Sequence, residues 1–332
     1  MSTDDAPPRK VMVLAGGPDR ERPVSLMSGA LIAEALEQAG YDTQVRDVLP
    51  DDLSALDVAA AERRVVFPAL HGPWGEGGPL QEELEKGGLC FVGSGSKAAK
   101  LAMNKHATKQ RLLEAGLPTP EHQLLGPGDP LDLPTPVVLK PVAEGSSLGM
   151  AICRSLDDLE PARDRLHPDF GTLLAERFIP GRELTVSVLG GPEPDQPVTA
   201  LPIIEIRSAA SFYDYQAKYE SEDTQYLFDL GLPDDLYQRI QSLAEQTHRL
   251  IGTRHLSRVD LILSDENELQ ILEINTLPGF TSHSLLPMAA NRAGLEAVDL
   301  VTRLVGMAMG NPQEPLNIIQ CGRDALPADR TG

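Results

Sequence analysis

Along the chain, short runs of consecutive apolar residues alternate with longer stretches whose apolar positions recur every three to four residues. The first run, Val11-Met12-Val13-Leu14, stops at Ala15-Gly16-Gly17-Pro18, the pattern of a buried strand that enters a tight turn. From Ser25 onward Met27, Leu31, Ala35 and Ala39 recur at four-residue spacing with Ile32 and Leu36 beside them, and Gly40 closes the run. This predicts an open α/β unit. A second apolar run, residues 65–70 (VVFPAL), ends in the loop 71–78 (HGPWGEGG) before helical character resumes over 80–86. Strands separated by helices predict a parallel sheet, and ligands of such sheets sit beyond the carboxyl ends of the strands. Both loops are therefore candidate chemistry.

From about Met103 the pattern changes. A helix is predicted to Gly116, then Pro-rich spacing, then short strands over 137–140, 151–154 and 173–179, as in a smaller α+β unit. Further strands are predicted over 184–189 and 201–206. A long helix follows from Asp234 to Ile251, with Leu236, Ile240, Leu243, Thr247, Leu250 and Ile251 on one stripe and Gly252 as its cap. Segments 258–263 (RVDLIL) and 270–275 (QILEIN), joined by the acidic turn 264–268, predict a hairpin. From Asn311 apolar periodicity fades, and a loosely ordered tail is expected. The expected organisation is an amino-terminal α/β domain over 1–102, a central domain over 103–188, a carboxy-terminal domain over 189–312 and a flexible tail over 313–332.

Composition narrows the function. With 332 residues and 41% apolar content the chain can bury more than one core and leave clefts between domains. Its 29 basic and 49 acidic residues give a formal charge of -20, which repels a nucleic-acid backbone or an anionic membrane surface. An anionic small substrate then needs a local cationic pocket, so lysines at strand and helix ends gain interest. Cys90, Cys153 and Cys321 are odd in number and lack a CxxC spacing, which predicts neither a disulfide framework nor a zinc site. The start MSTDDAPPRK has no apolar signal region and no apolar run approaches a membrane span. A cytoplasmic location without membrane or nucleic-acid partners is expected.

The hairpin carries the clearest chemistry. Strand alternation puts Arg258 with Asp260, and Glu273 with Asn275, each pair on a common face. Two carboxylates and an amide of this kind suit Mg²⁺ when phosphates complete the shell, although a solvated strand face gives the same pattern. The segment 140–149 (KPVAEGSSLG) could close backbone amides and hydroxyls over a triphosphate beside Lys140. It lacks the GxxxxGK[ST] spacing, and a Gly-Ser loop can equally be a plain turn. His71 with Glu76, and Glu21 beside Arg22 and Ser25, lie where a small polar substrate could be oriented. A backbone-bonded loop histidine and a helix-start carboxylate are the alternatives. No Ser-His-Asp or Cys-His arrangement is apparent.

Eight segments in order, ERPVSLMSGA, ALHGPWGEGG, MNKHATK, VVLKPVAEGSSLG, LLAERFIPGREL, FYDYQAKYESEDTQY, RVDLIL and LEINTLPGFTSHSLLP, resemble the ATP-grasp superfamily and within it the D-alanine–D-alanine ligases. The resemblance runs from about Lys10 to Leu304. It implies an ATP-grasp fold of mixed α/β and α+β class, with an amino-terminal open parallel α/β domain and ATP clamped between two α+β domains. It implies that two D-alanines are joined through an acyl-phosphate, at the cost of one ATP, for peptidoglycan and cell-wall synthesis, by a homodimer.

It also implies residue roles. Glu21 and Ser147 would lie near the amino group of the first D-alanine, with His71 beside the same substrate. Lys105, Lys140 and Lys218 would contact the ATP phosphates, and a loop around Ser146 and Tyr219 would close over the site. Glu183 would bind the ribose, and Glu176, Arg177 and Phe178 the adenine edge. Asp260, Glu273 and Asn275 would hold two Mg²⁺ ions, with Mn²⁺ as a substitute. Arg258 and the Gly279 amide would face the developing oxyanion, and Ser284 with Leu285 the carboxylate of the second D-alanine.

Departures from the common family pattern include Asn104 for a frequent Asp, Pro23, Pro73-Trp74, 277–280 (LPGF) for a Ser-Pro-Gly-Met run, and 255–257 (HLS) for Gly-Trp-Gly. The sequence leaves two rival functions. One is a ligase whose second substrate is a hydroxy acid such as D-lactate, against which the Lys218-Tyr219 pair argues. The other is a silent ATP-binding relative, against which retention of Arg258, Asp260, Glu273, Asn275 and Ser284 argues.

Overall fold

The computed structural model describes residues 10–145, 148–191, 196–207 and 224–311. The tail expected after 312, Cys321, and the site candidates Ser146, Ser147, Lys218 and Tyr219 lie outside the described residues.

The first region runs β1 (Lys10–Ala15), α1 (Arg22–Gln38), β2 (Asp42–Asp47), α2 (Ser54–Ala61), β3 (Val65–Pro68), α3 (Gly72–Gly75), α4 (Pro79–Lys86) and α5 (Ser96–Met103). Its strands pair in parallel in the order β2-β1-β3, as the alternation of strands and helices predicts. Polar β2 was not legible as a strand, because an edge position leaves DTQVRD largely exposed and only its pairing with β1 defines it.

Two expectations for α1 need correction. The helix starts at Arg22, three residues earlier than expected, because Pro23 falls in the first turn, where a missing N–H costs nothing. The stripe of Met27 and Leu31 does not face the core: they are 52% and 41% exposed, while Val24, Ser28, Ile32 and Leu36 are buried. The reason is close approach to β1. A Cβ added at Gly29 would stand 2.4 Å from that of Ala15, so small residues must line this contact.

The second region comprises α6 (Lys105–Glu114), β4 (His122–Leu125), β5 (Val137–Pro141), β6 (Ala151–Cys153), α7 (Leu159–Phe170) and β7 (Leu173–Arg177). Its antiparallel sheet has the order β4-β7-β5-β6. The third contains β8 (Gly181–Gly190), β9 (Val198–Ala200), β10 (Ile204–Arg207), β11 (Gln225–Leu227), α8 (Asp234–Ile251), β12 (His255–Ser264) and β13 (Leu269–Asn275), then α9 (Leu285–Arg292) and α10 (Ala297–Ala308). Its antiparallel order is β11-β10-β8-β12-β13, with β9 on β8. β8 is longer than its apolar stretch implied because it pairs with β12 from Gly181 to Gly190. The strand expected over 201–206 begins only at Ile204.

Helix α8 ends as expected, with Gly252 left-handed at φ 76 and its amide bonded to the Arg249 carbonyl. The core around β1 and β3 is shared: Val13, Ile32, Leu36 and Phe67 belong to one buried cluster with Leu286, Ala289, Leu300 and Leu304 of α9 and α10.

Two buried histidines make this fold sensitive to acid. His248 Nδ1 lies 2.7 Å from Ser257 Oγ, and His255 Nδ1 accepts from the Gly93 amide at 3.0 Å. Burial pushes their pKa values down to about 4 and about 3. Between pH ~6.5 and those values the unfolded chain binds protons that the folded chain refuses, so stability falls as pH falls. Glu76, whose folded pKa is raised from 4.5 to about 8, opposes the trend until pH falls to about 4.5. A comparison of variants isolates one histidine. His255→Asn keeps a residue that tolerates the local φ of 68. It should remove about 2 kcal/mol of the pH dependence between pH ~6.5 and ~5. Urea midpoints of the two proteins that shift in parallel across that range would refute this.

Candidate active site

The hairpin β12–β13 forms in the register that alternation predicts. Arg258 stands opposite Asn275 and Asp260 opposite Glu273, with the Val259–Ile274 pair between them, so the cation, both carboxylates and the amide occupy alternate cross-strand rungs of one face. Asp260 is held from two sides. Its Oδ1 accepts from Thr185 Oγ1 of β8 at 2.6 Å and from Arg258 Nε at 2.9 Å, and its Oδ2 accepts from Arg258 Nη2 at 2.7 Å. Asn275 Oδ1 accepts from the Leu277 amide, which fixes the turn after the strand. The register shifts just past Asp260. Across this bulge Leu272 and Glu273, neighbours in sequence, both line one cleft.

That cleft lies between the second and third sheets. Val138, Met150, Phe178, Ile179, Ile262 and Leu272 supply apolar walls, while Lys105, Lys140, Arg177, Glu183, Asp260 and Glu273 supply charge. The structure thus brings together nearly all the described residues assigned to nucleotide and metal. Lys105 begins α6, whose cap Asn104 accepts from the Ala107 amide. Its ammonium donates to the Glu144 carbonyl at 2.5 Å and sits 3.3 Å from Glu273. Glu176 also lines the cleft, but its carboxylate is bound to Lys140 and, at 2.9 Å, to Lys109. Lys109 has no role among those the motifs imply. Its only signal was a lysine on the helix face shared with Thr108 and Leu112.

A second cluster sits beyond the carboxyl ends of β1 and β3. Ser25 Oγ accepts from the Gly16 amide and donates to the Ala69 carbonyl, so it ties the two loops together and does not face a substrate. Glu21, His71 and Glu76 are buried. The Gly72 amide donates to Glu76 Oε1 at 3.1 Å. His71 Nε2 and Glu76 Oε2 are buried with no hydrogen-bond partner among the described residues, which marks them for a ligand. Two glycines define the adjoining space. A Cβ at Gly145 would stand 3.5 Å from Glu21 Oε2 and 3.7 Å from Glu76 Oε1; one at Gly279 would stand 2.8 Å from Ser284 Oγ and 3.8 Å from His71 Cε1. Ser284 occupies the N-cap position of α9 without a side-chain bond to the helix; its Oγ accepts from the Thr281 amide at 3.0 Å, and Leu285 is buried as the first helical residue. The Phe280 amide donates to Ser28 Oγ at 3.2 Å, which moors this loop to α1.

Electrostatics join the two clusters. Burial lowers the His71 pKa; the Glu21 carboxylate opposes this and the Arg258 guanidinium adds to it. Burial and then Glu21 push Glu76 up to about 8, against the Gly72 amide and Arg258. Arg258 therefore bears on the small-ligand cluster while bound to a carboxylate of the cleft. Glu76 was legible as a candidate, but its protonated state was not, because that depends on burial.

The same architecture occurs in known proteins. Residues 131–306 match the family model described as D-ala D-ala ligase C-terminus. The D-alanine–D-alanine ligase of Hydrogenovibrio crunogenus is 42% identical over 305 residues, covering 90% of this chain and 95% of that one. The Desulforudis audaxviator ligase is 44% identical over 312 residues, covering 90% and 98%. The chain belongs to the D-alanine–D-alanine ligase family. Two crystal structures of the Bacillus anthracis ligase, one of them complexed with ATP, superpose with TM-scores of 0.78 and 0.76 at 29% and 26% identity. Each aligns with 91% of this chain and 97% of its own. The three-sheet arrangement is accordingly the ATP-grasp fold expected from the resemblance.

Asp260, Glu273 and Asn275 are hard oxygen donors on alternate rungs of one face, which fits Mg²⁺. Among the described residues no group of three His, Cys, Asp or Glu side chains could hold a metal, so phosphate and water oxygens must complete such a shell.

Proposed function

We propose that this protein joins two D-alanines into D-alanyl-D-alanine, converting ATP to ADP and phosphate, in the cytoplasm and for peptidoglycan precursors. The observation that supports this reading best is Arg258, which is bound to Asp260 in the cleft and acts electrostatically on His71 and Glu76 in the small-ligand cluster. The domains that meet there would be 1–102, 103–188 and 189–312. Lys105 and Lys140 bind phosphates, and Glu183 with the 176–178 segment takes the nucleoside.

Glu21 and His71 hold the first D-alanine so that its carboxylate meets the γ-phosphorus. A carboxylate oxygen bonds to phosphorus, the bond to ADP breaks, and the acyl-phosphate forms. Mg²⁺ held by Asp260, Glu273 and Asn275 would spread the transferring negative charge. Ser284 and the amino end of α9 receive the carboxylate of the second D-alanine. Its amine attacks the acyl carbon, Arg258 and the Gly279 amide meet the charge that develops on the oxygen, phosphate leaves, and the amine loses a proton.

The test is a substrate panel. Protein, Mg-ATP and each D-amino or D-hydroxy acid are combined and products identified by mass. D-Alanine should yield the dipeptide with stoichiometric ADP. No dipeptide from folded, ATP-binding protein would sink the reading, and depsipeptide from D-alanine with D-lactate would favour the hydroxy-acid alternative.

A further inference from the structure

Behind the wall of the cleft, Lys140 and Glu176 are joined to a buried lysine, Lys109, that no step above uses. Lys109 is wholly inaccessible to solvent, a rare state for lysine. Its ammonium donates to Thr119 Oγ1 at 2.9 Å, and that hydroxyl donates to the Ile271 carbonyl of β13 at 2.8 Å. It lies 2.9 Å from one Glu176 oxygen, while the other oxygen takes the Lys140 ammonium. Burial alone would raise the Glu176 pKa, but the two ammonium groups overcome it and hold it at about 2. Lys109 itself, pushed down to about 8 by burial against the pull of Glu176, is still largely charged at neutral pH.

We propose that Lys109 is a positioning residue for nucleotide phosphates: by satisfying Glu176 from behind, it keeps the charge of Lys140 available to the cleft. Two cations and one carboxylate leave a single positive charge facing the pocket. Without Lys109, Glu176 would neutralise Lys140 one for one, in a chain whose formal charge of -20 already repels a triphosphate. A purely structural lysine predicts otherwise, because its loss would disturb every ligand of the cleft alike.

This inference rests on the proposed ATP site, and the experiment separates the two. Dissociation constants for Mg-ATP and for adenosine, which carries no phosphate, are measured for wild type, Lys109→Met and Lys109→Met/Glu176→Gln. Lys109→Met should weaken ATP binding about tenfold or more and adenosine binding less than about twofold, given that charge-assisted contacts are the strong ones. The double variant, which restores the single positive charge, should recover most of the lost ATP affinity. Equal losses for both ligands, an unchanged ATP constant, or no recovery in the double variant would each overturn the inference. Wild type that binds no ATP would overturn the nucleotide site itself. If Lys109→Met does not fold, Glu176→Gln alone decides: its preference for ATP over adenosine should equal or exceed that of wild type, and a reduced preference would refute the proposal.

Discussion

Arg258→Met is expected to lower kcat by about 10²-fold or more, the loss typical of removing one oxyanion donor, while changing the Kd for ATP much less. The guanidinium is positioned before any substrate arrives: it stands opposite Asn275 and lies along the Asp260 carboxylate through Nε and Nη2. From there it acts on His71 and Glu76, so it faces the place where acyl transfer would occur. On the proposed mechanism the charge it would meet grows only in the transition state, which is why the effect belongs in kcat. Methionine keeps the length and packing of the side chain but removes both guanidinium bonds to Asp260, whose Oδ1 keeps the bond from the Thr185 hydroxyl. Breaking a buried pair in this way can cost about 3–5 kcal/mol of stability. Thermal melts must therefore accompany the kinetics. Single-turnover rates from a preformed Mg-ATP complex bypass nucleotide affinity and product release. A folded variant with a near wild-type single-turnover rate would remove Arg258 from the oxyanion site.

Glu273→Gln should abolish turnover and leave the fold intact. The exchange preserves volume and hydrogen-bonding shape but removes the charge that faces both Lys105, 3.3 Å away, and the proposed metal shell. Rates across a Mg²⁺ titration distinguish a ligand from a bystander. An unchanged kcat at saturating Mg²⁺ would exclude Glu273 as a ligand.

What the sequence revealed follows from periodicity. The face carrying Arg258, Asp260, Glu273 and Asn275 was legible because strand side chains alternate strictly and the segment is long enough to show it. The bulge that brings Leu272 to the same cleft was not, since a one-residue shift leaves no mark on composition. On α1 the apolar stripe misled: Met27 and Leu31 stand out in sequence, while the buried face relies on Ser25, Ser28 and Gly29, whose value lies in being small. Lys109 shows the limit most clearly. A charged residue reads as surface until its partner is known, and Glu176 follows 67 positions later, on another strand. The roles implied for Glu21, His71, Ser284 and Leu285 came from ordered motifs, because segments so far apart cannot be brought together by local pattern.

The shared core around β1 and β3 has a consequence for synthesis. Val13, Ile32, Leu36 and Phe67 are translated early, yet their buried cluster is completed by Leu286, Ala289, Leu300 and Leu304. While the ribosome is making the two antiparallel sheets, the finished parallel sheet must wait with part of its apolar face uncovered. Exposed apolar surface of this kind is what nascent-chain chaperones hold and what drives misassembly when they are scarce. The parallel sheet is thus first to be made and among the last to be sealed, and a ribosome stalled before residue 286 would carry a chain whose earliest-made region lacks its cover.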